Sequence, residues 1–371
     1  MKSIIRAAGL SLILAVSSIM CSCVATETLE PLKEKGEQIV INLSVPENDA
    51  TRASADHKLR YTAKLFYGGK GNVKESTMQK KELIEGTKEK NQIIFDVPEG
   101  ETYTIVVFAD YIPTENIGAD GTNKDCYYNT SISNTYVEML TTPGNAASTA
   151  VSPEFFNNDN YDCFFACVQV EKTKLKVVCD LQLQRAVAKV RFLDSTSAAG
   201  NFNIAVTKLG YLKTLEMRND VSLRDPNYTS FKSFAEVDPG AKSFSDGSAE
   251  KEVLFYYTFA DPQSSSPQYS YIKFTVTDNE AHAYVFDPGD GKIEIKRNFI
   301  TTVRSNFLGT KSSGTGGDDN PSGPGNTTDP TDPTDPSGPG DSSGSGDDEY
   351  GPIYLNLSIS SESWDSFDKN L

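Results

Sequence analysis

The sequence predicts an all-β protein built from sandwich domains. Its 371 residues fall into many short segments rich in β-branched and aromatic residues, each bounded by Gly, Pro, Asp or Asn. No long segment has apolar residues at the 3.6-residue period of an amphipathic helix. Short strands separated by turn residues are typical of β-sandwiches and barrels. The length allows about two such domains.

The first predicted strand covers residues 39–45 and reads IVINLSV. Its apolar residues occupy every second position, which is the period of a strand with one buried face. The predicted strands that follow are 61–67, 92–97, 103–108, 161–170, 175–183, 187–192, 204–209, 253–259, 271–277, 282–286 and 292–295. Residues 114–160 are rich in Asn, Thr and Ser and are predicted to form a long polar loop.

The N-terminal segment has the features of an export signal. Two basic residues precede an apolar stretch that is too short to span a bilayer as a helix. A bacterial lipoprotein signal has a small residue directly before the cysteine that receives the lipid. Ser22 before Cys23 meets this need better than the methionine before Cys21. We predict a lipoprotein signal peptide over residues 1–22, lipidation of Cys23 and a lipid-anchored place at the outer membrane or cell surface. An ordinary secretory signal is the alternative.

Composition divides the rest of the chain. Residues 312–349 carry no apolar side chain other than proline, so they cannot bury a core. We interpret their clustered Asp residues as part of a solvated spacer rather than as a weak calcium site. The predicted parts are a tether (23–37), an N-terminal β-sandwich (38–175), a C-terminal β-sandwich (176–310), a disordered acidic linker rich in Pro, Gly and Ser (311–350) and a C-terminal strand segment (351–371).

Charge and motifs argue against several classes of function. The formal net charge is −16 at pH 7 and the pI is about 4.7. Nucleic-acid phosphates need a basic surface, so we predict no nucleic-acid partner. The sequence has no motif of a serine hydrolase, zinc protease, P-loop or dinucleotide site. Its two histidines, His57 and His282, lie in unrelated segments. We predict no enzymatic activity, no metal and no cofactor.

Two groups of residues allow more than one interpretation. In an exported protein, Cys126, Cys163, Cys167 and Cys179 are either disulfide partners or small core residues. Cys163 and Cys167 would lie too far apart along one strand to bridge each other. Aromatic residues in or near the long loop either stack on a host or bacterial glycan or clamp the loop onto its own sandwich. These are Tyr127, Tyr128, Tyr136, Phe155 and Phe156.

Two distant segments share one pattern. Residues 39–46 read IVINLSVP and residues 353–360 read IYLNLSIS. Aliphatic residues alternate in both, and an Asn and a Ser recur between them at matching positions. Strands with the same alternation can fill the same groove; alternatively, they are the first and last strands of two similar domains. The aliphatic positions are Ile39, Ile41, Leu43 and Val45 in one segment and Ile353, Leu355, Leu357 and Ile359 in the other.

Five stretches point to a known family. They read VPEGETYTIVVFADY (97–111), YDCFFACVQV (161–170), LQRAVAKVRF (183–192), VLFYYTFAD (253–261) and IKRNFITTVRSNFLG (295–309). In their order and spacing they resemble the fimbrillin-like lipoproteins of the Bacteroidales, which include major and minor fimbrial subunits. The chain departs from that pattern at Phe108, where the family usually has tryptophan, and in its acidic spacer.

The resemblance implies two transthyretin-like β-sandwiches in tandem, the second opening at LQRAVAKVRF. In such subunits a trypsin-like protease cuts after an arginine that follows the first strand. That strand leaves, and the C-terminal strand of another subunit refills its groove. Here Thr51 and Arg52 follow the first strand, so Arg52 is the candidate processing site and Arg60 the second choice.

The resemblance also implies the function. We expect a structural or accessory subunit of a cell-surface fimbria, exported as a lipoprotein and assembled by protease-triggered strand exchange. Its partners would be other fimbrial subunits or copies of itself, and it would touch the membrane only through the lipid. The alternative is a surface lipoprotein that does not polymerise and binds a glycan or a protein through its loops.

Overall fold

A computed structural model describes residues 37–308 with short gaps, and a strand near the C-terminus at 358–363. The predicted signal peptide, the tether up to residue 36 and the acidic linker therefore lie outside the described residues. The gaps are residues 47–53, 70–72, 75–76, 88–90, 120–121, 134, 197–198, 219–220, 225–232, 238, 240–241, 245–249, 262–267, 279–282 and 287–292.

The prediction of an all-β fold is confirmed. The described residues form 22 strands and three short 3-10 helices, and none of them lies in an α-helix. The first ten strands are β1 (Gln38–Ser44), β2 (His57–Tyr67), β3 (Thr77–Ile84), β4 (Gln92–Asp96), β5 (Thr102–Pro113), β6 (Tyr128–Asn129), β7 (Tyr136–Met139), β8 (Cys163–Glu171), β9 (Lys176–Gln182) and β10 (Gln184–Arg185). The 3-10 helices cover Thr114–Asn116, Pro153–Phe155 and Asp159–Tyr161.

The second half of the chain continues in the same style. Its strands are β11 (Val187–Asp194), β12 (Gly200–Gly210), β13 (Leu212–Glu216), β14 (Val221–Arg224), β15 (Ser233–Val237), β16 (Lys242–Phe244), β17 (Lys251–Phe259), β18 (Gln268–Asp278), β19 (Ala283–Phe286), β20 (Ile293–Ile295), β21 (Phe299–Ser305) and β22 (Ser358–Ser363).

The described residues form two compact units. The first unit contains the described residues within Met1–Leu140, Asp159–Ala186 and Thr214–Leu223. The second unit contains the described residues within Thr141–Asn158, Val187–Lys213 and Arg224–Leu371. The main division therefore falls after Ala186, later than the boundary at 175/176 expected from composition. The reason is β9, which pairs in parallel with β1 and so belongs to the first unit.

The first unit is a sandwich of two sheets. A three-stranded sheet has the order β4-β1-β9, and a five-stranded sheet has the order β10-β8-β5-β2-β3. One cluster of buried side chains joins the inner faces of the two sheets, including Ile41 of β1, Phe95 of β4, Tyr61 of β2 and Ile105 of β5. Burial of these apolar side chains is the main contribution that holds the sheets together.

The second unit also stacks two sheets. One has the order β17-β11-β21-β22; the other has the order β15-β12-β18-β19, with β16 on β12 and β20 on β18. Phe192 of β11 and Phe274 of β18 meet with ring centroids 5.0 Å apart, and Phe307 packs against both rings. These three side chains are buried and link the two sheets.

Part of the predicted long loop is ordered into strands. β6 and β7 pair with each other, and β7 pairs with β13, which lies more than seventy residues further along the chain. With β14 they form a four-stranded sheet of order β14-β13-β7-β6. β3 and β21 were also absent from the predicted strands. β3 is a half-exposed edge strand with a polar sequence, and β21 contains two threonines and an arginine, so neither has a clear apolar period.

Candidate functional site

The first strand lies in the middle of a sheet. β1 pairs antiparallel with β4, with Ile41 opposite Ile93, and parallel with β9, with Ile41 opposite Cys179. Ile39 and Ile41 are 0% exposed and point into the core. The structure also places Leu43 in that core, and Val45, just beyond the strand, packs against it.

Backbone hydrogen bonds continue past both ends of the strand. Gln38 N–H donates to Leu175 O at 2.7 Å, and Leu43 N–H donates to Asn91 O at 2.8 Å. Leu183 N–H donates to Ser44 O at 2.8 Å. Removing β1 would therefore leave unpaired backbone groups on β4 and β9 and open a groove into the core.

The outer face of this sheet carries a chain of polar side chains. Gln92 Nε2 donates to Asn42 Oδ1 at 2.7 Å, and Asn42 Nδ2 donates to Asp180 Oδ1 at 2.6 Å. Asn42 thus bridges β4 and β9, using both its donor and its acceptor. One row away, Val40 lies between Ile94 and Val178 and forms an apolar row.

The C-terminal strand pairs with the second unit of its own chain. β22 lies antiparallel to β21, with Ile359 opposite Val303, and forms an edge of its sheet. This pairing corresponds to the alternative in which the last strand belongs to its own second domain. The strand covers Ser358–Ser363 rather than residues 353–360. Ile353, Leu355 and Leu357 lie outside the described residues, and so do Cys23 and Arg52.

The chain downstream of the candidate processing site is fixed to the first unit. Ser54 N–H donates to Asn160 Oδ1 at 3.1 Å, and Asn160 Nδ2 donates to Ser54 Oγ at 3.2 Å. His57 is hydrogen-bonded through Nδ1 to Asp56 at 2.8 Å and through Nε2 to the hydroxyl of Tyr127 at 2.9 Å. The described backbone resumes at Ser54, two residues beyond Arg52.

Arg60 was the second choice for the processing site, but in the folded protein it is not accessible to a protease. It lies inside β2 and is completely buried. Its guanidinium donates to both oxygens of Asp110, at 3.0 and 2.8 Å, and forms an ion pair with Asp125 at 2.8 Å. A protease needs an accessible, extended backbone, which a residue paired on both sides in a sheet does not offer.

Burial dominates the electrostatics of this pair. Asp110 is enclosed, and loss of solvent raises its pKa to about 6 although Arg60 opposes the change. The carboxylates of Asp125 and Glu82 raise the pKa of Asp110 further. Asp125 also accepts hydrogen bonds from the amide and hydroxyl of Thr130 at 3.0 Å, which ties the loop to the outer face of the five-stranded sheet.

The loop aromatics pack inward. Four of the five are buried, and Tyr136 is partly exposed. The hydroxyl of Tyr128 donates to Tyr161 O, and its ring lies 5.2 Å from that of Phe108. Phe155 packs on Tyr211 at 5.5 Å. These contacts correspond to the interpretation in which the aromatics clamp the loop, because a buried ring has no face to offer a sugar.

The remaining candidates supply no assembled reactive centre. Cys163 and Cys167 both lie on β8; Cys126, Cys163 and Cys179 are buried. Across the part of the chain that the structure describes, no group of three or more His, Cys, Asp or Glu side chains could hold a metal ion. In the same residues no helix has the length and apolar character needed to cross a membrane.

Fold and site together define a tandem β-sandwich protein whose first strand is held at the centre of a sheet. Within that class the chain belongs to a family described as "Family of unknown function (DUF6562)", whose model matches residues 32–322. A search of the curated proteins found no match.

Several solved structures from Bacteroides and Porphyromonas are similar to this chain. A candidate cell adhesion protein from Bacteroides eggerthii is 13% identical, with 90% of this chain and 98% of that chain covered and a TM-score of 0.40. The tip fimbrial protein Mfa3 from Porphyromonas gingivalis is 11% identical, with 74% and 96% covered and a TM-score of 0.38. The fimbrial anchor protein Mfa2 from the same organism is 10% identical, with 72% and 90% covered and a TM-score of 0.35. Similarity at this level carries no inference about function.

Proposed function

We propose that the protein is a structural or accessory subunit of a cell-surface fimbria, exported as a lipoprotein and assembled by protease-triggered strand exchange. One observation carries the proposal: β1, whose apolar alternation recurs near the C-terminus, is the central strand of a sheet and is followed by an arginine-containing segment. The sequence resemblance to fimbrillin-like lipoproteins supports the same conclusion.

The energetics of β1 favour replacement over an empty groove. Each of Ile39, Ile41 and Leu43 contributes about 1.5–3 kcal/mol when it is buried. Loss of the strand after cleavage would expose the core beneath these side chains and unpair the backbones of β4 and β9. A strand with the same alternation would restore both contributions, as in other cases of strand addition to a sheet.

The C-terminal strand is the more easily released of the two. Among the residues that the structure describes, β22 pairs with β21 alone, whereas β1 pairs with a neighbour on each side. Leaving the edge of its own sheet breaks one ladder of hydrogen bonds. The 38-residue spacer has a root-mean-square reach of roughly 35 Å if it is flexible, enough for the strand to enter a neighbouring molecule.

Export and anchoring complete the proposal. Lipidation at Cys23 would hold the new chain at the outer membrane through the tether. Cleavage after Arg52 would remove the lipid together with β1, so that release from the membrane and opening of the groove would be one event. The partners are other fimbrial subunits or further copies of this chain.

The test compares two double variants of the last strand in cells that assemble the protein. Leu355→Asp with Leu357→Asp puts charges on the apolar face; Ser358→Asp with Ser360→Asp puts the same charge on the polar face. We expect the first to abolish ladders that survive SDS without heating, because its charges would be buried unpaired. The second should keep them.

Thermal unfolding of the monomers separates assembly from folding. If exchange operates, the melting temperature of the Leu355→Asp, Leu357→Asp monomer stays that of the wild type. A lower melting temperature, or undiminished ladders, would contradict the proposal, because the last strand would then serve only its own domain.

A further inference from the structure

On the outer face of the β4-β1-β9 sheet, two side-chain hydrogen bonds run in the same donor-to-acceptor direction from β4 to β9. Gln92 Nε2 donates to Asn42 Oδ1 at 2.7 Å, and Asn42 Nδ2 donates to Asp180 Oδ1 at 2.6 Å. The carboxylate of Asp180 can only accept, and the amide of Gln92 is used as a donor. The residue between them must therefore accept on one side and donate on the other, which a carboxamide does and an aliphatic side chain does not.

This row differs from its neighbours along the strand. Two residues before Asn42, Val40 lies between Ile94 and Val178. Two residues before that, Gln38 donates to Asp96 at 3.2 Å. On the core face, by contrast, successive positions are all aliphatic, so a strand shifted by two residues would still present apolar side chains inward. For a strand whose core-facing residues are all apolar in both registers, only the outer face distinguishes the correct register from one shifted by two.

We propose that Gln92 and Asp180 select the register of an incoming strand by requiring an asparagine at the position of Asn42. The occupant is residues 353–360 of a second copy of this chain, with Asn356 as the required residue. The inference rests on the proposed strand exchange and adds the rule by which the groove recognises its partner.

Only one register of the incoming strand puts an asparagine in the polar row and leucines in the two adjacent core rows. With Asn356 at the position of Asn42, Leu355 and Leu357 take the positions of Ile41 and Leu43. Tyr354 takes the position of Val40. Because Val40 is 3% exposed, the larger ring would have to extend over the neighbouring Ile94, which is 36% exposed.

A shift by two residues in either direction breaks the polar chain. It would put Tyr354 or Ser358 between Gln92 and Asp180. The first of these shifts would also put Gly351 at the core position of Ile39, so the polar row is decisive against the second. A tyrosine hydroxyl would project well beyond the position of the Asn42 carboxamide and could not lie between the two neighbouring side chains. A serine hydroxyl is too short to reach side chains on both neighbouring strands. Either register would leave the hydrogen bond to the Asp180 carboxylate unmade.

A peptide-binding experiment with a double-mutant cycle tests the rule. The full mature chain is nicked by limited trypsin digestion, and mass spectrometry identifies preparations cut only after Arg52. Binding is read from the fluorescence anisotropy of a labelled peptide of residues 351–363. Each mixture is incubated until the anisotropy is constant. The wild-type and Asn356→Ala peptides are each titrated against wild-type protein and against Asp180→Ala. Gln182→Ala, on the same exposed side of β9, is the matched control protein, and Ser358→Ala is the control peptide.

We expect Asn356→Ala to weaken binding about tenfold to wild-type and Gln182→Ala protein, but less than about twofold to Asp180→Ala, because the charge-assisted hydrogen bond is already absent there. Gln92→Ala should reduce the effect of Asn356→Ala as well, through the other bond of the chain. The Ser358→Ala peptide should bind like wild type. Circular dichroism checks that each variant is folded.

Three results would be adverse, and they contradict different parts of the argument. Binding that does not depend on Asn356, or an equal loss with every protein, would overturn the register rule while leaving strand exchange intact. Failure of the wild-type peptide to bind at all would contradict the proposed strand exchange itself.

Discussion

Arg60 and Asp110 form a bidentate ion pair between β2 and β5, with distances of 3.0 and 2.8 Å and side chains that are only 1% and 0% exposed. The pair lies on the face of the five-stranded sheet that points away from the core. The adjacent residues Tyr61 and Ala109 lie on the opposite face and point into the core. The loop that carries Asp125 and Thr130 covers the pair. Through the ion pair between Arg60 and Asp125, the pair connects the sheet to this loop.

Removal of Asp110 should destabilise the protein strongly. Asp110→Ala leaves the buried Arg60 guanidinium with Asp125 as its remaining ion-pair partner, and we expect a loss of about 3 kcal/mol in the free energy of unfolding. Glu171→Ala, at an exposed end of β8, should change it by less than about 0.5 kcal/mol. Urea unfolding followed by circular dichroism measures both; equal effects would contradict the structural role of the pair.

The same carboxylate should make stability depend on pH. The folded protein binds a proton at Asp110 near pH 6, whereas the unfolded chain does so near its ordinary pKa of 3.8. Between these values the folded state binds more protons, so the contribution of Asp110 to stability grows as the pH falls from 7 to 4. Against Asp110→Asn, which does not titrate, the wild type should gain on the order of 2–3 kcal/mol over that interval. A constant difference would show that the pKa is not raised.

A charge on the core face of the first strand should be poorly tolerated. Ile41→Asp places a carboxylate in a fully buried position between β4 and β9, and we expect the free energy of unfolding to fall by more than about 3 kcal/mol. Ser44→Asp, at an exposed position in the same strand, is the control and should have little effect. Similar melting curves for the two variants would mean that β1 contributes little to the first unit.

Processing should depend on Arg52. Protein recovered from the cell surface should begin at Ala53 in the wild type and in Lys58→Gln, which removes an exposed basic residue of β2. Arg52→Gln should keep the lipidated N-terminus, as read by mass spectrometry. A wild-type chain that still begins at Cys23 would instead indicate an anchor or a relative that does not polymerise.

Lipid attachment should require one particular cysteine. Labelled palmitate should enter the wild type and Cys21→Ala but not Cys23→Ala. Equal labelling of both variants would disprove the assignment to Cys23.

Local patterns predicted most of the strands with a strong apolar period, such as β1, β5 and β17. They missed β3 because a half-exposed edge strand with two adjacent lysines has no clear alternation. The division after Ala186 has no local signal, because β9 joins the first unit through its pairing with β1, about 140 residues earlier. Asn42 was recognisable as a repeated residue, but its partners, Gln92 and Asp180, become neighbours only through the sheet.

The two-sided pairing of β1 has a mechanical consequence. A strand pulled along its own axis while bonded to neighbours on both sides is loaded in shear, and it moves only when both ladders slip together. Within the described part of the chain β22 is bonded on one side, so the same tension needs to shear only one ladder. The force needed to pull out a strand bound between β4 and β9 would therefore be larger than the force needed to pull a strand off the edge of β21, for example under fluid flow.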